Sequence, residues 1–135
     1  MPIPINCFAV IMASVVVLMQ AGFGALELFA PHSTFNMVFA SSYNNSADPL
    51  WCQTGQLARN MGLYNWFIAL GLLLSLTGPL AGAWASKFFL LCVGVAGAFA
   101  LISVSLFWAF WAQLVLGLAT FALFQLSGRM TTSRP

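Results

Sequence analysis

Three long apolar runs and one polar interruption set the pattern of this chain. Past Asn6, the stretch from Ile5 to Phe29 has only Gln20 and Glu27 as strongly polar side chains. At about 1.5 Å of rise per residue, a helix of that length crosses a hydrocarbon core of about 30 Å with slack for tilt. Pro2 and Pro4 suit a helix entrance, and Pro31 closes the run. A second helix is predicted over about residues 57–76, ended by Gly78 and Pro79. The third run, Phe88 to Leu126, would be about 58 Å long as one helix, nearly twice the core thickness, so it must fold back. Ser103, Ser105, Trp108 and Trp111 suit an interface there. They divide the run into helices of about 87–104 and 108–127.

The polar interruption, residues 31–57, reads as a loop. Its Ser, Asn and Asp residues and Pro49 are turn formers. Phe35, Met37, Val38 and Phe39 fit a short interfacial turn, and Trp51 fits the headgroup belt. Asn44-Asn45-Ser46 matches a glycosylation acceptor, a triplet common by chance. The tail after Ser127 is polar and is expected to fray.

Composition turns this pattern into a fold class. The 135 residues are 61% hydrophobic and 4% charged, with a mean hydropathy of +0.96, against about 25% charged residues in soluble domains. A chain this small with so few charges would present one continuous apolar surface to water. The expected architecture is an all-α, integral membrane, antiparallel four-helix bundle forming a single domain over residues 1–135. The first run lacks a basic leader segment and is long enough to span, so it is expected to remain as the first helix. Four spans put both termini on one side. Lys87, Arg129 and Arg134 fall on that side and Arg59 opposite, which favours cytoplasmic termini; the membrane itself is expected to be a bacterial inner or plasma membrane.

Charge and cysteine content remove several function classes. A net charge of +2 is too sparse for nucleic-acid binding, which needs a dense basic surface. Cys7, Cys52 and Cys92 are too dispersed for a disulfide framework. No zinc-ligand spacing and no phosphate-binding glycine loop is present, so no metal or cofactor is expected. His32, the one histidine, lies outside the spans and makes imidazole ligation of haem or chlorophyll within the bundle improbable.

What remains is intramembrane polarity, which is costly unless it meets partners or a water-filled cavity. In the first helix Gln20, Gly24 and Glu27 share a face at i, i+4, i+7 spacing, with Ala21 and Ala25 as a small-residue pair beside them. In the second, Asn60, Tyr64 and Gly71 lie on one face and Gly62, Asn65 and Ala69 on another. In the fourth, Gln113, Gly117 and Thr120 repeat the first helix's spacing. The topology brings Glu27, Asn60, Tyr64, Asn65 and Gln113 towards one end of the bundle as candidate ligand-binding residues, supported by Gln20 and Arg59. Two uses are open for them: helix packing with hydrogen-bonded glue, or the walls of a pocket. Glu27 is either solvated or paired with Arg59 at the headgroups, or buried where it can exchange a proton or hold a cation.

Asn60-Met61-Gly62-Leu63-Tyr64-Asn65-Trp66-Phe67 resembles the N-x-G-x-Y-N-x-F signature of domain-of-unknown-function family 1304, four-helix membrane proteins of bacteria and fungi. Leu26-Glu27-Leu28-Phe29 is similar to that family's L-E-M-F at the end of the first helix, and Gly94–Gly97 and Gln113 look like its small-residue third helix and the glutamine opening its fourth. The resemblance covers roughly Ala9 to Leu126 and implies the four-helix membrane fold but no activity. Gln20 stands where the resemblance implies a histidine, and no proline follows Gln113.

Two functions follow as expectations. One is a small multi-pass protein with a polar pocket near the outer leaflet, binding a small polar or lipid-like ligand from the bilayer. The other is a structural accessory subunit of a larger membrane complex, or a homo-oligomer. An enzyme is the weaker reading, because an acid–base pair would have to come from Glu27 and Tyr64.

Overall fold

The computed structural model describes residues 5–39, 49–77, 83–103 and 108–132, and all of its regular structure there is helical. In order these are α1 (Ile5–Phe29), α2 (Pro31–Phe39), α3 (Pro49–Thr77), α4 (Ala83–Ser103) and α5 (Trp108–Thr132). Four stretches are long and apolar enough to cross a membrane: Cys7–Phe29, Leu50–Thr77, Trp84–Ile102 and Trp108–Ser127. The chain is thus an all-α membrane protein of four spanning helices, with α2 as a short addition. The third apolar run, too long for one span, is divided between α4 and α5.

Side-chain and backbone contacts show neighbouring spans running antiparallel. Ala21 and Glu27 of α1 bond to Trp66 and Asn65 of α3 in reversed order, and Gly71 and Ser75 of α3 meet Phe89 and Ser86 of α4. Lys87 reaches Gln125 at one end of the α4–α5 pair, while Gly97 meets Leu114 and Phe110 near the other. Helix α1 meets α5 through Gln20 with Gln113 and Phe23 with Trp108. The most extensive packing is within the pairs α1–α3 and α4–α5; α1–α5 and α3–α4 contacts close the ring.

Lipid solvates apolar side chains as well as a protein core does, so close packing and interhelical hydrogen bonds hold such a bundle. Both features are present. The centre is a fully buried cluster of Val16, Leu72, Leu90 and Val93. Within each pair the backbones approach at glycine. A Cβ added to Gly24 would lie 2.8 Å from the Gly62 carbonyl oxygen, and one on Gly117 would lie 2.6 Å from the Gly94 nitrogen. Near the end of α3 and the start of α4, the Ser75 hydroxyl donates to the Leu72 carbonyl at 2.7 Å, and its oxygen lies 2.9 Å from that of Ser86. Outward-facing residues are large and apolar, with Ile102 87% and Phe29 79% exposed.

The segment 31–57 differs from its reading as a loop. It contains α2, and α3 begins at Pro49, well before residue 57. Pro31 and Pro49 open helices here, because a first helical position needs no donated hydrogen bond. The helical backbone of α5 likewise runs on past Ser127 to Thr132, since helical bonds are local and need no apolar face to persist. Helix α4 opens at Ala83 and takes in Trp84 and Lys87. The glycosylation-like triplet, Asp48, Gly78-Pro79, Ser105 and Arg134 lie outside the described residues.

Candidate functional site

Two glycines decide where the polar groups of α1 and α3 meet. With no side chain at Gly24 or Gly62, the helices cross in backbone contact. One turn further along α1, Glu27 is therefore drawn against α3, where Asn65 is waiting on the same face as Gly62. The Asn65 Nδ2 donates to Glu27 Oε2 at 2.7 Å, a short bond of the kind made to charged acceptors. Trp66 locks the crossing from outside: its indole Nε1 donates to the Ala21 carbonyl at 3.0 Å, and its ring stands edge-on to Phe29 at 6.5 Å.

Beyond Glu27 the chain bends at Ala30 and turns into α2. Backbone bonds from Ala30 to Leu26 and from Thr34 to Ala30 carry the hydrogen bonding across the junction, and the Thr34 hydroxyl also donates to the Ala30 carbonyl. Helix α2 then lies against the first turns of α3. His32 stacks face to face on Trp51, with ring centres 3.7 Å apart and planes within 8°. Gly55 makes room for that stack, because a Cβ there would sit 2.7 Å from His32 Cε1.

Beneath α2 is a cavity of about 210 Å³. Thr34, Phe35 and Val38 of α2 form its roof, Leu57, Ala58 and Met61 of α3 one wall, and Ala100 of α4 with Phe110 of α5 the far side. Glu27 completes it as the one charged residue among the described residues of the lining. It is partly buried, and among the described residues it forms no ion pair with Arg59, which is exposed. The Thr34 hydroxyl is already engaged, so a guest in this space would meet apolar walls and one carboxylate. A larger groove, about 680 Å³, runs along α1 between Leu18 and Ala30 and reaches Trp108. Its lining is entirely apolar and open to the surroundings, which suits a lipid chain rather than a specific ligand.

The candidate residues do not form one cluster. Glu27 and Asn65 come together as described. Gln113 is buried deeper and donates through Nε2 to Gln20 Oε1 at 3.2 Å. Further along α5, Thr120 is fully buried and its hydroxyl has no hydrogen-bond partner. Asn60 and Tyr64 are exposed on the outer surface of α3, Tyr64 to 66%, and neither lines the cavity. The reason lies in helix geometry: four residues make slightly more than one turn, so Asn60 and Tyr64 share a face about 100–140° from Asn65. That face points outward at this end of the bundle. The sequence pattern places Phe35 and Val38 in an interfacial turn and assigns neither them nor the apolar walls to the site. Phe35 and Val38 stand at helical spacing within HSTFNMVF, and that was the available signal.

Comparison with known proteins gives a family. The family model described as "Protein of unknown function (DUF1304)" matches residues 14–125. The chain belongs to this family. No curated protein and no solved structure matches it.

Proposed function

We propose that this member of the DUF1304 family is a multi-pass membrane protein that binds a small or lipid-like molecule in the cavity between α2 and the ends of the four spans. The observation that carries this reading is Glu27: a carboxylate held by Asn65, without a cationic partner among the described residues, on the wall of an otherwise apolar cavity. Isolated ionisable groups at membrane depth are expensive to keep, and a binding role accounts for one that packing alone does not require. Glu27 supplies the charge and Asn65 fixes its orientation. The apolar walls take the body of the guest. With the termini in the cytoplasm, as the basic residues favour, the cavity opens near the outer leaflet.

Native mass spectrometry after purification in mild detergent tests this. A small molecule retained by the wild type and lost from folded Glu27→Gln and Ala100→Leu variants supports the reading. Equal retention by all three, or none by any, overturns it.

A second reading, an accessory subunit or homo-oligomer, is favoured by Asn60 and Tyr64, polar groups that face away from the bundle. Recovery of the chain with a stoichiometric membrane partner that is lost on Asn60→Leu/Tyr64→Leu substitution would support it.

A further inference from the structure

The charge balance inside the cavity narrows the guest, on the premise that the cavity is a binding site. Glu27 Oε2 is occupied by Asn65, whereas Oε1 has no hydrogen-bond partner among the described residues. Among the described residues no lysine, arginine or histidine lines the cavity, and the other polar group of that lining, Thr34, spends its hydroxyl on the Ala30 carbonyl. A guest therefore meets an acceptor in need of a donor, and no donor for an anion. A carboxylate in low-dielectric surroundings is far more costly unpaired than paired. We infer that the cavity is selective for lipophilic amines: a primary or secondary ammonium head on Glu27, with an apolar body against Phe35, Val38 and Phe110.

Size and charge limit the class further. At about 30 Å³ for each water-sized group, the 210 Å³ of space takes roughly seven such groups, the size of a six-carbon chain with its amine. A carboxylate guest would face Glu27 with like charge. An alcohol can donate one hydrogen bond but leaves the charge uncompensated. A zwitterionic lipid headgroup would bring its phosphate to a wall with no cation, which favours a free amine over a headgroup. If Glu27 is protonated when a neutral amine arrives, the proton passes from the carboxylic acid to the amine nitrogen and the same ion pair results.

The test uses the full chain in phosphatidylcholine nanodiscs, titrated with n-hexylamine, n-hexanol and hexanoate, and follows the Asn65 side-chain amide resonance. Hexylamine is expected to give a saturable shift at least tenfold tighter than either of the others, and to lose at least tenfold in affinity in Glu27→Gln. The ligand comparison on the wild type stands even if that variant fails to fold. Hexanol or hexanoate binding as tightly as the amine overturns the amine selectivity and leaves the cavity reading intact. Replacing part of the phosphatidylcholine with phosphatidylethanolamine should not shift the resonance. If it does, the free-amine assignment falls in favour of a headgroup. No saturable shift with any of the three ligands overturns selectivity and binding site together.

Discussion

Substituting Gly62 with alanine probes the contact that brings Glu27 to Asn65. The added Cβ would lie 2.8 Å from the Gly24 carbonyl oxygen, 2.9 Å from Glu27 Cβ and 3.0 Å from Leu28 Cγ. Leu28 can rotate away, but a carbonyl oxygen and a Cβ move only with their helix. Carbon atoms in contact prefer about 3.5–4.0 Å, so α1 must retreat by roughly 0.5–1 Å. A retreat of that size takes the 2.7 Å bond between Asn65 and Glu27 to the edge of the hydrogen-bonding range or past it. Overpacking of this kind costs about 1–3 kcal/mol, and losing a hydrogen bond to a charged group adds about 1.5 kcal/mol or more. Against this, alanine is favoured over glycine inside a helix by about 1 kcal/mol. The steric and polar terms win, and a net loss of about 1.5–3.5 kcal/mol is expected. Gly22→Ala is the matched control, because nothing lies within 4 Å of its added Cβ. It should be neutral or gain up to about 1 kcal/mol from propensity alone. Unfolding by sodium dodecyl sulfate titration in mixed micelles, followed by far-ultraviolet circular dichroism, compares the two. Equal midpoints for Gly62→Ala and Gly22→Ala would refute the crossing argument.

Three further outcomes follow from the same contacts. Gln20→Leu or Gln113→Leu alone strands a buried amide and should cost about 1–3 kcal/mol, while the double variant recovers most of the loss; a double-mutant cycle of unfolding midpoints with no coupling would count against the 3.2 Å bond. Gly55→Ala pushes on the His32 ring, so hydrogen exchange should accelerate in α2 while the α1–α3 crossing stays protected. Unchanged exchange there would mean the His32–Trp51 stack does not hold α2 down. Asn60→Ala and Tyr64→Phe, both outside the cavity lining, should leave hexylamine binding within about twofold of wild type, well under the tenfold that a 1.4 kcal/mol contact would give.

The spanning helices were legible in the sequence because a bilayer imposes one simple requirement. About 20 apolar residues must follow one another, and a run of nearly twice that length must turn back. That reasoning separates α4 from α5 without reference to any turn motif. Helix α2 was not legible for the complementary reason. It is short and of mixed polarity, and its stability comes from Thr34 bonding back to Ala30 and from His32 lying on Trp51. The second of these contacts spans residues that the sequence keeps far apart.

Pairing of the polar residues was only half legible, and the part that was missed bears on function. Spacing along each helix correctly put Gly24 with Glu27 and Gly62 with Asn65, since residues a near-whole number of turns apart share a face. It could not tell which face of α3 looks inward at which depth. Gly71 meets Phe89 of α4 low in the bundle, yet Asn60 and Tyr64, on that same side of α3, are exposed higher up. The pairs α1–α3 and α4–α5 pack closely along their glycine contacts, and the cavity occupies space between them at this end, under α2. Gln20 and Gln113 satisfy each other and act as glue across α1 and α5, consuming their own polarity. Glu27 lies one and two turns beyond Gly24 and Gln20 on α1, where the cavity begins, and among the described residues only one of its oxygens is bonded, to Asn65. Of the two open uses of intramembrane polarity, packing accounts for the glutamines, and the proposed binding role rests on the acceptor of Glu27 that Asn65 leaves unspent among the described residues.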